Sequence, residues 1–185
     1  IPIESFPSAA RDERYRRLVE DAAEANMNML RVWGGGIYEK EIFYSLCDSC
    51  GILVWQDFMF ANAMYPWDRE FLDDVEAEAE ENVRRLADHP CIALWCGNNE
   101  IDEAWHNWGW RDGYTEDEST AIWDGYGELF EKILPNAVSA HGNGAPYIST
   151  SPKYGRGDRR SLAGGDCHYW GVWHDAEPFE VLLTK

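Results

Sequence analysis

The sequence is short of basic residues, and this shortage excludes one broad class of function. It contains 16 Lys and Arg against 34 Asp and Glu, which gives a formal net charge of −18 at pH 7. Proteins that bind nucleic acid neutralise its phosphates with clustered Lys and Arg, and no such cluster occurs here. We therefore expect no nucleic-acid partner, and we interpret the acidity as a solvated surface.

Long hydrophobic runs are also missing. No stretch approaches the roughly 18 consecutive apolar residues that suggest a membrane-spanning helix. Because 45% of the residues are nevertheless hydrophobic, we expect a soluble globular protein with no membrane partner. The first residues, Ile1-Pro2, do not resemble a signal peptide and include no initiator Met, so the cellular compartment stays open.

The motifs of several metal and cofactor sites are absent. The five cysteines include one C-x-x-C pair, Cys47 and Cys50, without a second pair to complete a structural zinc site or a disulfide framework. Gly34-Gly35-Gly36 lacks the rest of any nucleotide-binding fingerprint. A metal-dependent hydrolase using Asp166, His168 and His174 is a weak alternative, because their spacing is not a recognised ligand pattern. We expect neither a metal ion nor a cofactor.

What the sequence does contain is an alternation of amphipathic helices and short apolar runs. Helical spacing of apolar residues covers 8–26 and 39–50, and a third helix starts near Asp68. Thr115-x-x-Glu118 has the pattern of a helix-starting capping box. The helix that follows is expected to break at Pro135, where a short second helix starts, and residues 101–113 are expected to form a loop.

The predicted strands lie at 29–33, 52–55, 91–95, 146–150 and, less clearly, 166–170. Strands that are apolar on both faces and alternate with amphipathic helices indicate an α/β fold, with a parallel sheet covered by helices. An open doubly wound sheet and an eight-stranded barrel both fit this pattern. The missing nucleotide-binding fingerprint favours the barrel.

Polar and aromatic residues follow the predicted strands. In barrel enzymes the active site lies at the carboxyl ends of the parallel strands. Here those ends carry Arg31-Val32-Trp33, Gln56-Asp57, Asn98-Asn99-Glu100, Ser149-Thr150-Ser151 and His168-Tyr169-Trp170. Ten Trp and nine Tyr add many rings that suit stacking on a sugar.

An isolated carboxyl group beside amides, an Arg and several Trp residues suits the cleavage of a glycosidic bond. That reaction needs a general acid whose pKa is raised by an environment of low polarity, and a second carboxylate across the sugar ring. Glu100 is the candidate acid, and Asn99 is expected to bind the sugar hydroxyl beside the reacting carbon. The alternatives are a rim carboxylate paired with Arg31 and a turn-forming Asn.

Several blocks of the sequence resemble the catalytic domain of family 2 glycoside hydrolases. They are NMLRVWGGGIY (28–38), GILVWQDFMFA (51–61), HP (89–90) and WCGNNE (95–100). Within that family they most resemble the β-mannosidases. GDCHYWGVW (165–173) carries the match into the later part of the chain, whereas 114–141 matches only in pattern.

The resemblance implies a fold and a set of site residues. The fold is a partial (β/α)8 TIM barrel that runs from the end of strand 1, near residues 1–5, through strand 6. Glu100 takes the role of general acid/base in a retaining mechanism, with Asn99 as a substrate contact. The sugar pocket is lined by Arg31, Trp33, Trp108, His168, Tyr169 and Trp170, and the strand-end pattern adds Asp57. Core packing is the alternative for Trp33, Asp57 and Trp170.

The match also exposes a gap. The family's nucleophile is a Glu in a Ser-Glu-aromatic-Gly setting on the seventh strand, and no such stretch occurs in the sequence. Glu177 and Glu180 look like a helix start instead. We therefore expect residues 1–185 to be part of one barrel domain, without the N-terminal β-sandwich domains and last strands of the parent enzyme. The nucleophile would lie beyond Lys185, and the chain alone would be inactive.

The leading interpretation is thus an exo-β-glycosidase that removes terminal β-D-mannose from oligosaccharides or glycans. One alternative is a sister specificity of the same family, β-galactosidase or exo-β-glucosaminidase. Another is a non-catalytic carbohydrate-binding fragment. The remaining segments of the parent enzyme would be the partners of this chain.

Overall fold

The computed structural model describes residues 11–154 and 159–183, and a four-stranded parallel sheet forms its centre. The strands lie side by side in chain order, and each pair of neighbours is parallel. They are β1 (Met29–Val32), β2 (Leu53–Asp57), β3 (Ile92–Cys96) and β4 (Tyr147–Ile148). The predicted α/β class with a parallel sheet is confirmed, and all four carboxyl ends lie at one edge.

Helices fill the connections between the strands. They are α1 (Asp12–Glu24), α2 (Glu41–Cys50), α3 (Arg69–Leu86), α4 (Ile101–Asn107), α5 (Glu116–Glu128) and α6 (Leu134–His141), with short 3₁₀ helices at Trp110–Gly113, Arg159–Leu162 and Phe179–Leu183. No helix in the described ranges is both long enough and apolar enough to cross a membrane.

Local signals in the sequence set several helix ends. The side chain of Asp68 accepts a hydrogen bond from the backbone N–H of Phe71, which caps the start of α3. At α5 the predicted capping box forms, since Thr115 and Glu118 each bond the backbone N–H of the other. Gly51 ends α2 in the left-handed conformation, with φ of 70°.

The short second helix predicted to start at Pro135 is α6, but no break precedes it, because α5 passes through a π-helical turn at Leu129–Ile133 directly into α6. Pro135 lies in the first turn of α6, where its missing N–H costs least. The expected loop at 101–113 is largely helical, and the side chain of Asn98 accepts from the N–H of Ile101 at the start of α4.

The strand predicted at 166–170 does not form. Its polar groups pair with a neighbouring loop instead of a sheet edge. Asp166 accepts hydrogen bonds from the hydroxyl of Ser151 and from the N–H of Lys153, and the carbonyl of Trp170 accepts from the N–H of His174 in a turn. The strand expected near residues 1–5 lies outside the described residues.

The core lies between the sheet and the helices. Phe58 stacks on Trp95 with ring centroids 5.0 Å apart, and the hydroxyl of Tyr44 donates to the fully buried amide of Gln56. The buried amide of Gln56 is therefore paired where it meets the apolar core. Met29 and Leu53, at the starts of β1 and β2, remain more than one-third exposed.

A cluster of polar side chains lies before the start of β3. The ring of His89, which is 8% exposed, contacts Asp48 through Nδ1 and Glu41 through Nε2, each at 2.5 Å. Burial lowers the pKa of His89, but the hydrogen bonds to Asp48 and Glu41 outweigh it and raise the pKa above its ordinary value. The cluster ties α2 to the connection between α3 and β3.

We expect this cluster to make stability depend on pH. A group whose pKa is raised by folding contributes its full stabilisation below its unfolded pKa, about 6.5 for His, and loses it as the pH rises through the folded value. The thermal unfolding midpoint of the unsubstituted protein should therefore fall as the pH rises from about 6.5 through the folded pKa of His89. In His89→Gln it should fall less. The exposed His106→Gln serves as the control and should keep the parent slope. Equal slopes in all three proteins would contradict the assignment.

Candidate active site

Backbone hydrogen bonds hold the residues after β3 between the loops that follow β2 and β4. The N–H of Asn99 donates to the carbonyl of Phe60 at 3.0 Å, and the N–H of Glu100 donates to the carbonyl of Ser151 at 2.8 Å. Gly97 allows the close approach of β4, because a Cβ there would lie 2.4 Å from the carbonyl oxygen of Ser149. The position of Glu100 is thus set by backbone contacts on both sides.

Asn98 has an architectural role. It is fully buried, and its amide nitrogen donates to the carbonyl of Ser149 at 2.8 Å. Its amide oxygen accepts from the hydroxyl of Thr150 at 2.8 Å and from the N–H of Ile101. Asn98 therefore joins the end of β3 to the end of β4 and starts α4.

Glu100 has a strained backbone, and its carboxylate is surrounded by polar side chains. Its φ of 63° lies in the left-handed region, which a non-glycine residue adopts at a cost of about 1 kcal/mol or more. Its carboxylate accepts from the side-chain amides of Asn62 at 3.1 Å and Asn99 at 3.0 Å through Oε2. Nδ1 of His168 lies 2.7 Å from Oε1. Strain of this kind persists where the surrounding contacts hold it.

The pKa of Glu100 differs from the sequence-based expectation. Burial raises this pKa, as a general acid requires, but the hydrogen bonds from His168, Asn62 and Asn99 and the interaction with the imidazole outweigh it. The pKa of the carboxyl group is consequently lowered from its ordinary value. The site therefore favours the carboxylate form.

Arg31 and Asp57 form the buried base of the site. The guanidinium bonds both carboxylate oxygens of Asp57, with an Nη2 to Oδ2 distance of 2.8 Å, and stacks 5.0 Å from the ring centre of Trp55. Asp57 is fully buried and also accepts from the N–H of Gly34. Burial raises the pKa of Asp57 by more than Arg31 and the hydrogen bonds lower it. Nη2 of Arg31 also reaches Oδ1 of Asn99 at 3.3 Å.

Two neighbouring cavities meet at Glu100. The larger has a volume of about 790 Å³, and its lining includes Arg31, Trp33, Asn62, Asn99, Glu100, His168, Tyr169, Trp170 and Trp173. The smaller, of about 390 Å³, is lined by Glu100, Glu103, Trp108, Pro152, His168, Trp170 and His174. Glu100, His168 and Trp170 line both cavities, so the two cavities adjoin at these three residues.

The site residues singled out from the sequence are brought together, with one difference in role. Trp108 lines only the smaller cavity, and Trp108, Tyr169 and Trp170 are each more than one-third exposed. Asp57 lies beneath Arg31 and lines neither cavity. Its contribution is therefore to hold the guanidinium.

Sequence reasoning missed Asn62 and Trp173. Asn62 comes directly after the GILVWQDFMFA block, and its φ of 50° turns its amide toward Glu100 and Asn99. A polar residue directly after a strand-end block is a weak signal that could have drawn attention to it. Trp173 belongs to the GDCHYWGVW block, and only the cavity lining distinguishes it from other exposed aromatics.

One group among the described residues has the atoms of a metal site close together. Donor atoms of Asp48, His89 and Cys91 lie within 4.8 Å of one another. Both ring nitrogens of His89 are already engaged by carboxylates, and burial raises the pKa of the Cys91 thiol, which disfavours the thiolate that would bind a metal. We therefore interpret the group as an ion-pair cluster.

The chain was compared with known protein families, sequences and structures. No protein family model matches the chain. β-Mannosidase of Rattus norvegicus is 40% identical over 191 residues, which span 98% of this chain and 22% of that protein. The crystal structure of β-D-mannosidase from Dictyoglomus thermophilum superposes with a TM-score of 0.82 and 46% identity, covering 100% of this chain and 22% of that one.

A more distant structure shares the fold alone. Bacteroides uniformis β-glucuronidase has a TM-score of 0.63 and 23% identity, over 75% of this chain and 16% of that one. Over nearly all of its length the chain is therefore similar to glycoside hydrolases. Within them it is a relative of the β-mannosidases, as the resemblance to family 2 implied, and it spans about one-fifth of the length of the relatives it matches.

We expect Asp57→Asn to destabilise the fold, because it leaves the guanidinium of Arg31 without its counter-ion. Breaking a buried ion pair costs about 3 kcal/mol of unfolding free energy or more. Urea denaturation of the protein expressed from its complete reading frame measures this. The matched control is Asp21→Asn, which breaks an exposed pair with Arg17 and should cost less than about 0.5 kcal/mol. Similar small losses in both variants would contradict the role of Asp57.

Proposed function

We propose that this chain is the acid/base half of a retaining exo-β-glycosidase that removes terminal β-D-mannose from oligosaccharides or glycans. The sheet would be part of an eight-stranded barrel whose remaining strands, like the β-sandwich domains of the parent enzyme, come from outside the chain. The similarity to proteins named β-mannosidase supports the choice of sugar. The placement of Glu100 carries the chemical assignment.

Glu100 is suited to general acid and base work because it is buried, oriented and still reaches solvent-filled space. Its carboxylate lies where the two cavities meet, so a glycosidic oxygen between a sugar in one and its leaving group in the other would lie within its reach. In the first step Glu100 would give its proton to that oxygen as the bond to the sugar breaks. In the second it would take a proton from the water that attacks the glycosyl-enzyme intermediate.

The lowered pKa of Glu100 favours the carboxylate, which is the form that the second step needs as a base. The first step requires the protonated form, and a bound sugar favours that form by displacing water from the cavity and strengthening the burial effect that already raises this pKa. The donors from Asn62 and Asn99 keep the carboxyl group oriented in both steps. An acid/base residue of a retaining enzyme must alternate between these forms in each turnover.

The larger cavity supplies groups that fit a sugar. Trp33, Trp170 and Trp173 offer rings for stacking on its apolar face, and Oδ1 of Asn99 keeps a lone pair for a hydroxyl group beside its contact with Arg31. Arg31 is anchored by Asp57, so its remaining N–H groups hold a fixed direction. The cavity is therefore both apolar and directional, as carbohydrate recognition requires.

The second carboxylate would come from outside these residues. In retaining enzymes the two carboxyl groups lie about 5 Å apart across the sugar ring. Within the described residues, Glu100 is the only carboxylate that lines the larger cavity, and Asp57 is fully enclosed by its own partners. We place the nucleophilic Glu beyond Lys185 in the parent protein, and we expect the 185-residue chain alone to be inactive.

The acid/base assignment is tested by Glu100→Ala in the protein expressed from its complete reading frame. We expect kcat on an aryl β-mannoside to fall by about 10²- to 10⁴-fold, the usual contribution of a general acid or base. Added azide should restore turnover and yield a β-glycosyl azide, because a small anion can attack the intermediate without base assistance. Glu128→Gln, at an exposed helix position, is the matched control and should keep parent activity.

Substrate choice is tested on a panel of aryl β-glycosides. The parent protein should cleave the mannoside in preference to the galactoside, glucosaminide and glucuronide. Preference for another sugar would replace the proposed specificity while keeping the mechanism. If the protein binds mannosides but cleaves none of the panel, the enzymatic proposal is wrong and a carbohydrate-binding role replaces it.

A further inference from the structure

A continuous line of side chains leads from Glu100 away from the cavities. Nδ1 of His168 lies 2.7 Å from Oε1 of Glu100, and Nε2 of His168 lies 2.9 Å from the hydroxyl oxygen of Ser151. That hydroxyl group lies 2.5 Å from Oδ2 of Asp166. We propose that Ser151 and Asp166 are positioning residues that set which ring nitrogen of His168 carries a proton, and that they thereby hold the catalytic proton of Glu100. The inference rests on the proposed role of Glu100 as acid/base.

The direction of the hydrogen bonds follows from the number of protons. Ser151 has one hydroxyl hydrogen, and an ionised carboxylate only accepts, so this hydrogen goes to Asp166. Ser151 then has only lone pairs to offer His168, and a hydrogen bond between them requires a proton on Nε2. When the ring is neutral, Nδ1 is consequently an acceptor, and it can bond Glu100 only if Glu100 carries a proton. This arrangement corresponds to the general acid.

Arg31 favours the opposite arrangement. Its Nη1 lies 3.3 Å from Nε2 of His168, and a guanidinium only donates, so this contact requires Nε2 without a proton. The neutral ring then carries its proton on Nδ1 and donates it to the carboxylate of Glu100, which corresponds to the general base. The two contacts of Nε2 therefore match the two forms that Glu100 must adopt.

The surrounding groups fix this geometry. The carbonyl of Ser151 accepts from the N–H of Glu100, and its own N–H donates to the carbonyl of Asn98. Ser151 is fully buried, and the other oxygen of Asp166 is held by the N–H of Lys153. The charged groups facing His168 are Glu100, Asp166 and Arg31, with Asp57 behind Arg31, while Glu103 and His174 line the adjoining cavity.

Removing either Ser151 or Asp166 should shift the protonation equilibrium of Glu100 toward the ionised form, which acts as the base. Without the hydroxyl group of Ser151 or the charge of Asp166, Nε2 of His168 faces chiefly the donor on Arg31. Glu100 then loses its proton more easily, because the remaining neighbours of His168 favour a proton on Nδ1 that is donated to the carboxylate. The basic limb of the pH profile of kcat/KM, which reports the loss of that proton, should move down by about one pH unit.

The experiment compares Ser151→Ala and Asp166→Asn with the parent protein, expressed from its complete reading frame. kcat/KM for an aryl β-mannoside is measured between about pH 4 and pH 9. The matched control is Ser149→Ala, which removes a hydroxyl group two residues earlier and leaves the carbonyl that accepts from Asn98. Both test variants should shift the basic limb while the control does not. Basic limbs that coincide in all active proteins would overturn the proposal and leave the proposed function intact.

A second readout does not depend on turnover. Imidazole ¹⁵N chemical shifts of His168 distinguish a proton on Nε2 from one on Nδ1. At the same pH, we expect the fraction of His168 rings in the Nε2–H form to be higher in the unsubstituted protein than in Ser151→Ala. The same tautomer in both proteins would overturn the proposal even if no glycoside is cleaved. If Ser151→Ala does not fold, Asp166→Asn carries both measurements, since its side chain is 20% exposed and the change is isosteric.

Discussion

The buried ion pair between Arg31 and Asp57 is the contact on which the rest of the site depends. It joins the end of β1 to the end of β2. Asp57 also holds the loop after β1, because its carboxylate accepts a hydrogen bond from the N–H of Gly34. A charge this far from water is tolerated only when it is paired and hydrogen-bonded. Because Asp57 takes the Nε and Nη2 edge of the guanidinium, Nη1 is left for His168, and a further contact of Nη2 reaches Asn99.

This arrangement gives the two neighbouring amides after β3 different tasks. Asn98 is turned inward, where its side chain bonds Ser149 and Thr150 beside the backbone hydrogen bonds that continue from β3 and β4 to Glu100 and Ser151. Asn99 is turned toward Arg31, Asn62 and Glu100. Successive side chains of an extended segment point to opposite sides, so the amide of Asn98 joins neighbouring segments of the fold and the amide of Asn99 orients the carboxylate of Glu100. The left-handed backbone of Glu100 then directs the carboxyl group into the cavities.

The sequence specified the framework well and the site in part. Short, mostly apolar runs predicted β1, β2 and β3, and the helical spacing and the capping box at Thr115 predicted α1, α2, α3 and α5, because these signals are local. The segment 166–170 was wrongly predicted as a strand, since its aromatic residues fit the strand pattern. Its actual contacts are tertiary hydrogen bonds from Ser151 and Lys153 to Asp166, which no local pattern reveals. Asn62 was missed for a related reason: its role comes from a positive φ and from contacts across loops.

The pKa of Glu100 shows why composition alone could not define the chemistry. An acid inside a Trp-rich cavity is expected to hold its proton, and burial does act in that direction. Three side chains from three different segments, Asn62, Asn99 and His168, reverse the outcome by offering donors to the carboxylate. Two of these donors are fixed amides, which cannot change their protonation. His168 alone can exchange a donor for an acceptor, so any control of the acid form by this network must act through that ring and the groups that bind its far side, Ser151 and Arg31.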